Sequence, residues 1–373
     1  MTAPITSRLS IAKKVFSPSW RGLDVSSWGG LQPVYVTRLP KSFAWEKLDT
    51  ADLPSTFVDL FRRSNINLDL LSFRKLGYRA WKCVNPNCEI DTIYLPMVKC
   101  GIYHPWNSFK HASRCVARIM PRIEFMEKRG ADYLICLDLT TPHYDHFRKD
   151  PDGTIRKLRK AVNHFLQELH KELFPGKKSK LGGFYSLHTW KTTKPLDFHF
   201  HVHLQLFNVA FDGKAFHRFH PFLDLRKVRE AWRKSLLKFG LWAEPSPILP
   251  DVHDHYIKLE NRPRLVHRLR YIYRRPLEDL AKYLTPQDLE GLDVEWVRWL
   301  IRYTPRQVFV GFATSLKRLG FACPKSDSLI CPVCGHPMRR GEFYPDLPPG
   351  TPICIQLNSG EWLVKPPPKP SEG

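Results

Sequence analysis

Three histidines alternate with apolar residues in the stretch DFHFHVHLQLF, residues 197 to 207: His199, His201 and His203. A period of two sends successive side chains to opposite faces of a β-strand, so Phe198, Phe200, Val202, Leu204 and Leu206 face a core and the imidazoles face the other way. Neutral imidazole is the commonest side-chain metal ligand, and two at i and i+2 on a rigid strand can converge on one ion. The preceding strand, GGFYSLHTW, ends near His188, and a hairpin or close crossover lays that residue beside His201 and His203. Three convergent ligands with open positions make a working metal, one that polarises a phosphoryl oxygen and shields developing charge. Two pairings stay open at this point, His199 with His201 or His201 with His203.

A nucleophile for phosphorus stands further along, in RLVHRLRYIYRRPLEDLAKYL. On a helix counted from Leu265 at about 100° per residue, Leu265, Val266, Leu269 and Ile272 centre at about 30°. Tyr273 falls at about 80°, on the apolar edge, and Tyr271 at about 240°, on the polar side between His267 and Arg275 and close to Arg274. A phenol among guanidinium groups can attack phosphorus to form a phosphotyrosine. Tyr271 is therefore the first choice of nucleophile and Tyr273 the second.

The 9 cysteines offer structural metal chemistry. Cys83-x4-Cys88 followed by Cys100 and Cys115, with His104 and His111 nearby, has enough ligands for one closed tetrahedral zinc site. Cys331-Pro-Val-Cys334-Gly-His is half of a zinc ribbon, completed by Cys323 and either His336 or Cys354. Clustering at short spacings suits metal binding in a reducing compartment better than a disulfide framework.

These residues need a scaffold, and the pattern from residue 131 onward supplies one. ADYLICLDLTTPH reads as a central strand. TIRKLRKAVNHFLQELHKELF then puts Ile155, Leu158, Val162, Phe165, Leu166, Leu169 and Leu173 on one helical stripe. Two strands follow, then a helix in RKVREAWRKSLLKFG and a helical region from Arg264 to about Tyr283. Strand, helix, strand, strand, helix begins a ferredoxin-like split arrangement. The expected fold class is α+β, a ferredoxin-like antiparallel sheet with helices on one face, flanked by small zinc-binding modules. The expected boundaries are 1–75 (a region of no assigned role, with a short helix in STFVDLFRRS), 76–125 (zinc segment), 126–315 (the sheet domain) and 316–373 (ribbon and a proline-rich tail).

Lys and Arg number 58 against 36 Asp and Glu, a net charge of +22 spread over the 373 residues. Such a field favours a polyanion, nucleic acid first. Aromatic residues make up 13%, which argues against disorder and provides surfaces for stacking unpaired bases. No run approaches the roughly 18 apolar residues of a membrane span, and the first residues lack the apolar centre of a secretory signal. The expectation is a soluble, cytoplasmic protein without a membrane partner.

The residues CLDLTTPH, FHFHVHLQL and YIYRRP resemble, in order and spacing, the three motifs of HUH endonucleases, the superfamily of rolling-circle replication initiators and single-strand transposases. The resemblance covers about residues 131 to 315. It implies that His201 and His203 are the metal pair, with His188 where relatives often carry a third, acidic or polar, ligand, and that the ion is Mg²⁺ or Mn²⁺, beside Zn²⁺ at one or two structural sites. The tyrosine motif usually has Lys or Arg three residues on, which Tyr271 satisfies through Arg274, whereas Tyr273 meets Pro276. The implied function is metal-dependent nicking and joining of single-stranded DNA through a 5′-phosphotyrosine, initiating rolling-circle replication of a plasmid or virus. The implied partners are single-stranded DNA or a hairpin origin, and host replication proteins. A transposase of the same superfamily is the near alternative. A non-catalytic zinc-containing nucleic-acid-binding protein is the alternative from another class, and a primase-like polymerase is disfavoured because Asp138 stands alone on its strand.

Overall fold

The structure is a computed structural model that describes residues 53–84, 86, 92–243, 249–322, 329–330, 337–346, 353–356 and 362–365. Its elements, in order, are helix α1 (Ser55–Arg63), strands β1 (Phe73–Cys83) and β2 (Thr92–Cys100), helix α2 (Pro105–Glu127), β3 (Tyr133–Thr140), the short α3 (Asp145–Lys149), α4 (Pro151–Leu173), β4 (Lys180–Trp190), β5 (Phe198–Phe211) and β6 (Phe216–Arg218). Then come α5 (Leu225–Lys238), β7 (Val252–Lys258), α6 (Arg262–Tyr273), α7 (Pro276–Tyr283), α8 (Val294–Arg302), β8 (Val308–Gly311), β9 (Leu329–Ile330), β10 (Pro337–Tyr344), β11 (Ile353–Gln356) and β12 (Trp362–Lys365). The architecture is α+β with antiparallel sheets. Among the described residues no helix is long and apolar enough to cross a membrane.

The large sheet has the order β7-β3-β5-β4-β8, with β6 also paired to β5. All these pairings are antiparallel. The histidine strand β5 is thus central, and its alternation decides what covers it. Phe200, Val202, Leu204 and Leu206 join Leu158, Val162 and Phe165 of α4 and Trp232 and Leu236 of α5 in one core. Phe207 and Val209, with Leu134 and Cys136 of β3, pack on the opposite face against Ile119 and Ile123 of α2 and Leu265, Leu269 and Ile272 of α6. Helices therefore cover both faces instead of the one expected. The odd-numbered row is apolar at this end of β5, and each fully buried aliphatic or Phe side chain removed from water stabilises by about 1.5–3 kcal/mol. Along the same row Val209 and Phe207 give way to Gln205, His203, His201 and His199. One face is core at one end and site at the other.

The helical region expected from Arg264 to Tyr283 is two helices. Pro276 has no N–H and disfavours helical backbone at the residue before it. Arg274 and Arg275 are accordingly extended, with ψ of 153° and 158°.

The chain also divides differently from the expected boundaries at 75, 125 and 315. The described stretches up to Arg74 and from Cys100 onward through β8 form one compact unit, and those from Lys75 to Lys99 and beyond Asp327 form another. Residues 100–125 fall in the first of these units, where α2 contributes Ala112, Cys115, Val116 and Ile119 to the main core. Phe57, Leu60 and Phe61 of α1 pack with Leu277, Leu280, Val297 and Ile301 of α7 and α8. In the second unit β2-β1-β10-β9 make a four-stranded sheet, and β11 pairs with β12.

Candidate metal centre and nucleophile

Strand register brings the histidines together. His188 on β4 lies opposite His201 on β5, and Asp138 on β3 lies opposite His203. His188, His201 and His203 each offer a ring nitrogen, and the three nitrogens lie within 4.8 Å of one another. The outer nitrogen of every ring faces an acceptor: His188 Nε2 donates to Ile272 O at 3.0 Å, His201 Nδ1 to His199 O at 2.9 Å, and His203 Nδ1 to Asp138 Oδ1 at 2.6 Å. A neutral imidazole has one proton, so these bonds leave the inner nitrogens as lone pairs. His203 Nε2 is 3.1 Å from His201 Nε2 and 3.0 Å from His188 Nδ1.

Converging lone pairs repel unless a cation sits among them, and the environment works against that cation being a proton. Burial pushes His188 and His201 well below the usual imidazole range, and it lowers His203 too, against the opposing pull of Asp138. The donor set fits a divalent metal instead. At a metal–nitrogen distance of about 2.1 Å, separations of 3.0 and 3.1 Å suit ligands about 90° apart. The supporting hydrogen bonds fix each ring's tautomer and orientation, as ligating histidines require.

A second layer holds the ligands. Asp138 Oδ1 also accepts from Arg268. Burial alone would raise its carboxyl, but His203 and Arg268 outweigh it and hold the group far below the ordinary carboxylate range. Trp190 stacks on His188 with ring centroids 4.3 Å apart and donates its indole N–H to Asp279 Oδ2 at 2.8 Å. The same oxygen of Asp279 lies 3.1 Å from Arg274 Nη2. Arg274 in turn donates to Thr192 Oγ1 at 2.8 Å and lays its guanidinium 4.1 Å from the Tyr271 ring centroid. Tyr271 sits 5.4 Å from the His203 ring and 5.9 Å from the His188 ring, centroid to centroid. His201, His203 and Tyr271 line a cleft of about 610 Å³ whose walls also include Lys191, Thr192 and Trp242.

Of the residues singled out in the sequence, the structure gathers His188, His201, His203, Tyr271 and Arg274. His199 stands apart from the trio, its Nδ1 3.0 Å from His143 Nε2, so the pairing of His199 with His201 is not the one that converges. Tyr273 is fully buried in the core of α2 and α6. Arg275 also turns away from Tyr271, donating to the carbonyls of Ile102 and Ile301. Asp138, Arg268, Trp190 and Asp279 were not read as site residues. Asp138 carried a signal, an acid on an otherwise apolar central strand, but its partners are 65 and 130 residues away.

Of the first proposed zinc set, Cys83, Cys100 and Cys115 are described and Cys88 is not. Among the described residues the only cluster of three or more His, Cys, Asp or Glu able to hold a metal is the histidine trio. Cys115 is buried in the α2 core with its thiol pushed up to about 11 by burial, which disfavours the thiolate that zinc needs. His111 Nε2 lies 3.0 Å from Pro305 O. Cys88, Cys323, Cys331, Cys334 and His336 lie outside the described residues, as does the side chain of Cys354. Comparison with protein-family models, with curated proteins and with solved structures finds no match.

Two expected outcomes follow from burial. The buried neutral histidines resist a proton that the unfolded chain accepts below about pH 6.5, so their contribution to stability is complete above that value and is lost as pH falls. His104, fully buried and lowered to about 4 by burial, accounts for about 2 kcal/mol at about pH 5. The measured unfolding free energy of the metal-free protein should therefore fall between about pH 7 and 5, and a flat profile would contradict the burial. The hydroxyl of Tyr273 is buried without a hydrogen-bond partner among the described residues, so Tyr273→Phe should leave stability unchanged or raise it by about 1 kcal/mol, read by urea unfolding.

Proposed function

We propose that this chain is a tyrosine endonuclease and strand transferase of the HUH type, acting on single-stranded DNA. The observation that carries the reading is the convergence of three imidazole lone pairs beside a tyrosine that is flanked by Arg268 and Arg274 and opens on a cleft. The strand order supports it: β3, β4, β5 and β7 stand in the sheet as β7-β3-β5-β4, with α4 after β3 and α5 after β5, the arrangement of a ferredoxin-like fold. The +22 charge supports a polyanionic substrate.

His188, His201 and His203 would hold the ion, and three neutral imidazoles without a carboxylate ligand favour Mn²⁺ over Mg²⁺. Bound there, the ion supplies polarisation of a phosphoryl oxygen. Tyr271 attacks the scissile phosphorus through its hydroxyl oxygen; the bond to the 3′ oxygen breaks, and that oxygen leaves as a free hydroxyl. The 5′ phosphate stays on the tyrosine as a phosphodiester, so a 3′-hydroxyl can attack it, restore the phenol and rejoin the strand. Arg274, held by Asp279 and Thr192, is placed to pair with a phosphate oxygen. Initiation of rolling-circle replication of a plasmid or virus is the process this chemistry suits.

Incubation of the protein with Mn²⁺ and a single-stranded DNA library of randomised sequence, followed by isolation of SDS-stable complexes, tests the reading. Covalently held strands of a shared sequence are expected. A library that yields none, with binding intact, overturns it in favour of a non-catalytic nucleic-acid-binding protein.

A further inference from the structure

A cleft of about 610 Å³ has the capacity of one small-molecule site, so most of a bound polynucleotide must lie on the protein outside it. The pairing of the arginines shows where. The exposed Arg62, Arg218 and Arg226 are each neutralised by a carboxylate, on Asp59, Asp132 and Glu230 in turn. On α2, Arg114, Arg118 and Arg122 recur every four residues along one flank of a helix whose other side, through Ala112, Val116, Ile119 and Ile123, is core. Arg114 and Arg118 are exposed and Arg122 is half-buried. Among the described residues none of the three pairs with a carboxylate.

Like charges at i and i+4 destabilise a helix, and a bound anion removes that cost. At 1.5 Å of rise per residue the three arginines span about 12 Å, a row that suits a chain of phosphates better than a single anion. Arg122 is held in place, its guanidinium 4.7 Å from the Phe309 ring centroid and 4.8 Å from that of Phe321. One of its donors goes to Arg118 O, and the stacked plane keeps its other edge donors for phosphate. Phe309 belongs to the edge strand β8, and His111 Nε2, 3.0 Å from Pro305 O, sets the exposed Arg306 beside the same flank. The positive field is felt at His111: burial first, and then the guanidinium groups of Arg275, Arg114 and Arg118, hold it below the ordinary imidazole range against the bond to Pro305.

We propose that Arg114, Arg118 and Arg122, with Arg306 beside them, bind the phosphate backbone of single-stranded DNA outside the catalytic cleft. Phe309, half-buried next to Arg122, offers an unpaired base a ring to stack on, which the stacked interior of a duplex cannot use. On the reading of the substrate as single-stranded DNA, on which this assignment rests, affinity belongs to this surface and chemistry to the histidine centre. Phosphate contacts carry no base information, so the surface grips any strand while the cleft decides which one is cut.

Fluorescence anisotropy of the full-length protein with a labelled single strand of mixed sequence, in chelator so that no cleavage intervenes, provides the test. Arg114→Gln combined with Arg118→Gln should weaken binding about tenfold whatever the sequence, and lower the slope of log affinity against log salt by about 1.4, two contacts at about 0.7 each. Arg62→Gln combined with Arg226→Gln removes the same charge from exposed positions that already have partners, and should change neither quantity. All four side chains are exposed, so both double variants should keep the parent's urea unfolding curve and Mn²⁺ affinity, which shows that any loss is not misfolding. Equal losses in the two double variants would reduce the effect to net charge and overturn the assignment, as would the parent's slope in the Arg114 and Arg118 variant. A larger loss for a duplex of the same length than for the single strand would give the surface to double-stranded DNA and overturn it too. A parent protein that binds no single strand would overturn the functional reading itself, and this surface with it.

Discussion

Tyr271→Phe is expected to fold as the parent does, to keep its affinity for single strands, and to form no covalent adduct. Only the attacking oxygen is removed; the ring remains in its contacts with His188, His203 and the Arg274 guanidinium. On the proposed mechanism, loss of the attacking oxygen should lower cleavage by at least about four orders of magnitude, as removal of an acting group does in covalent enzymes. Tyr273→Phe should cleave normally, because Tyr273 is enclosed by the α2–α6 core and burial holds its phenol well above the ordinary range. Mass spectrometry of the adduct after nuclease digestion separates the outcomes. A nucleotide on Tyr273 would displace Tyr271 as nucleophile while leaving the enzyme class standing.

Asp138→Asn should damage both stability and metal binding. The carboxylate accepts from His203 and Arg268, whose side chains are 2% and 11% exposed. An amide carries no charge to balance the guanidinium, and breaking one partner of a buried ion pair costs about 3–5 kcal/mol. It also ceases to fix the His203 tautomer with a full negative charge, and loss of such a supporting group typically weakens metal affinity about 10–100-fold. Urea unfolding of the metal-free variant reads the first effect, and titration with Mn²⁺ followed by electron paramagnetic resonance reads the second. Unchanged Mn²⁺ affinity would mean that the trio does not act as the metal centre.

How much of this was legible depends on whether the information is local. The period of two along 198–206 identified the core side of β5 and the imidazole side, because that assignment needs only the chain's own pleat. The phase of α6 separated Tyr271 from Tyr273, since the helix does begin before Leu265, at Arg262. The same local reading missed the break at Pro276, where two arginines had been carried through as helix. It also assigned Arg275 to Tyr271's side when its guanidinium is in fact bonded to two distant carbonyls.

The sequence alone determined a basic, aromatic-rich chain with an alternating α+β pattern, a row of histidines on one strand face, a tyrosine amid arginines, and two cysteine knuckles. Each is a property of composition or of a short repeat, set by backbone geometry within a dozen residues. Only the tertiary structure decided which histidines meet, that Asp138 supports His203, that Asp279 anchors Arg274, that the sheet is covered on both faces, and that Cys115 belongs to a core while β1 pairs with β10. Those outcomes depend on strand register and on contacts between residues more than 260 positions apart, such as Arg79 and Gly341, 262 apart. Register is chosen by the packing of whole faces against one another, a free energy summed over many side chains at once and written in no single motif.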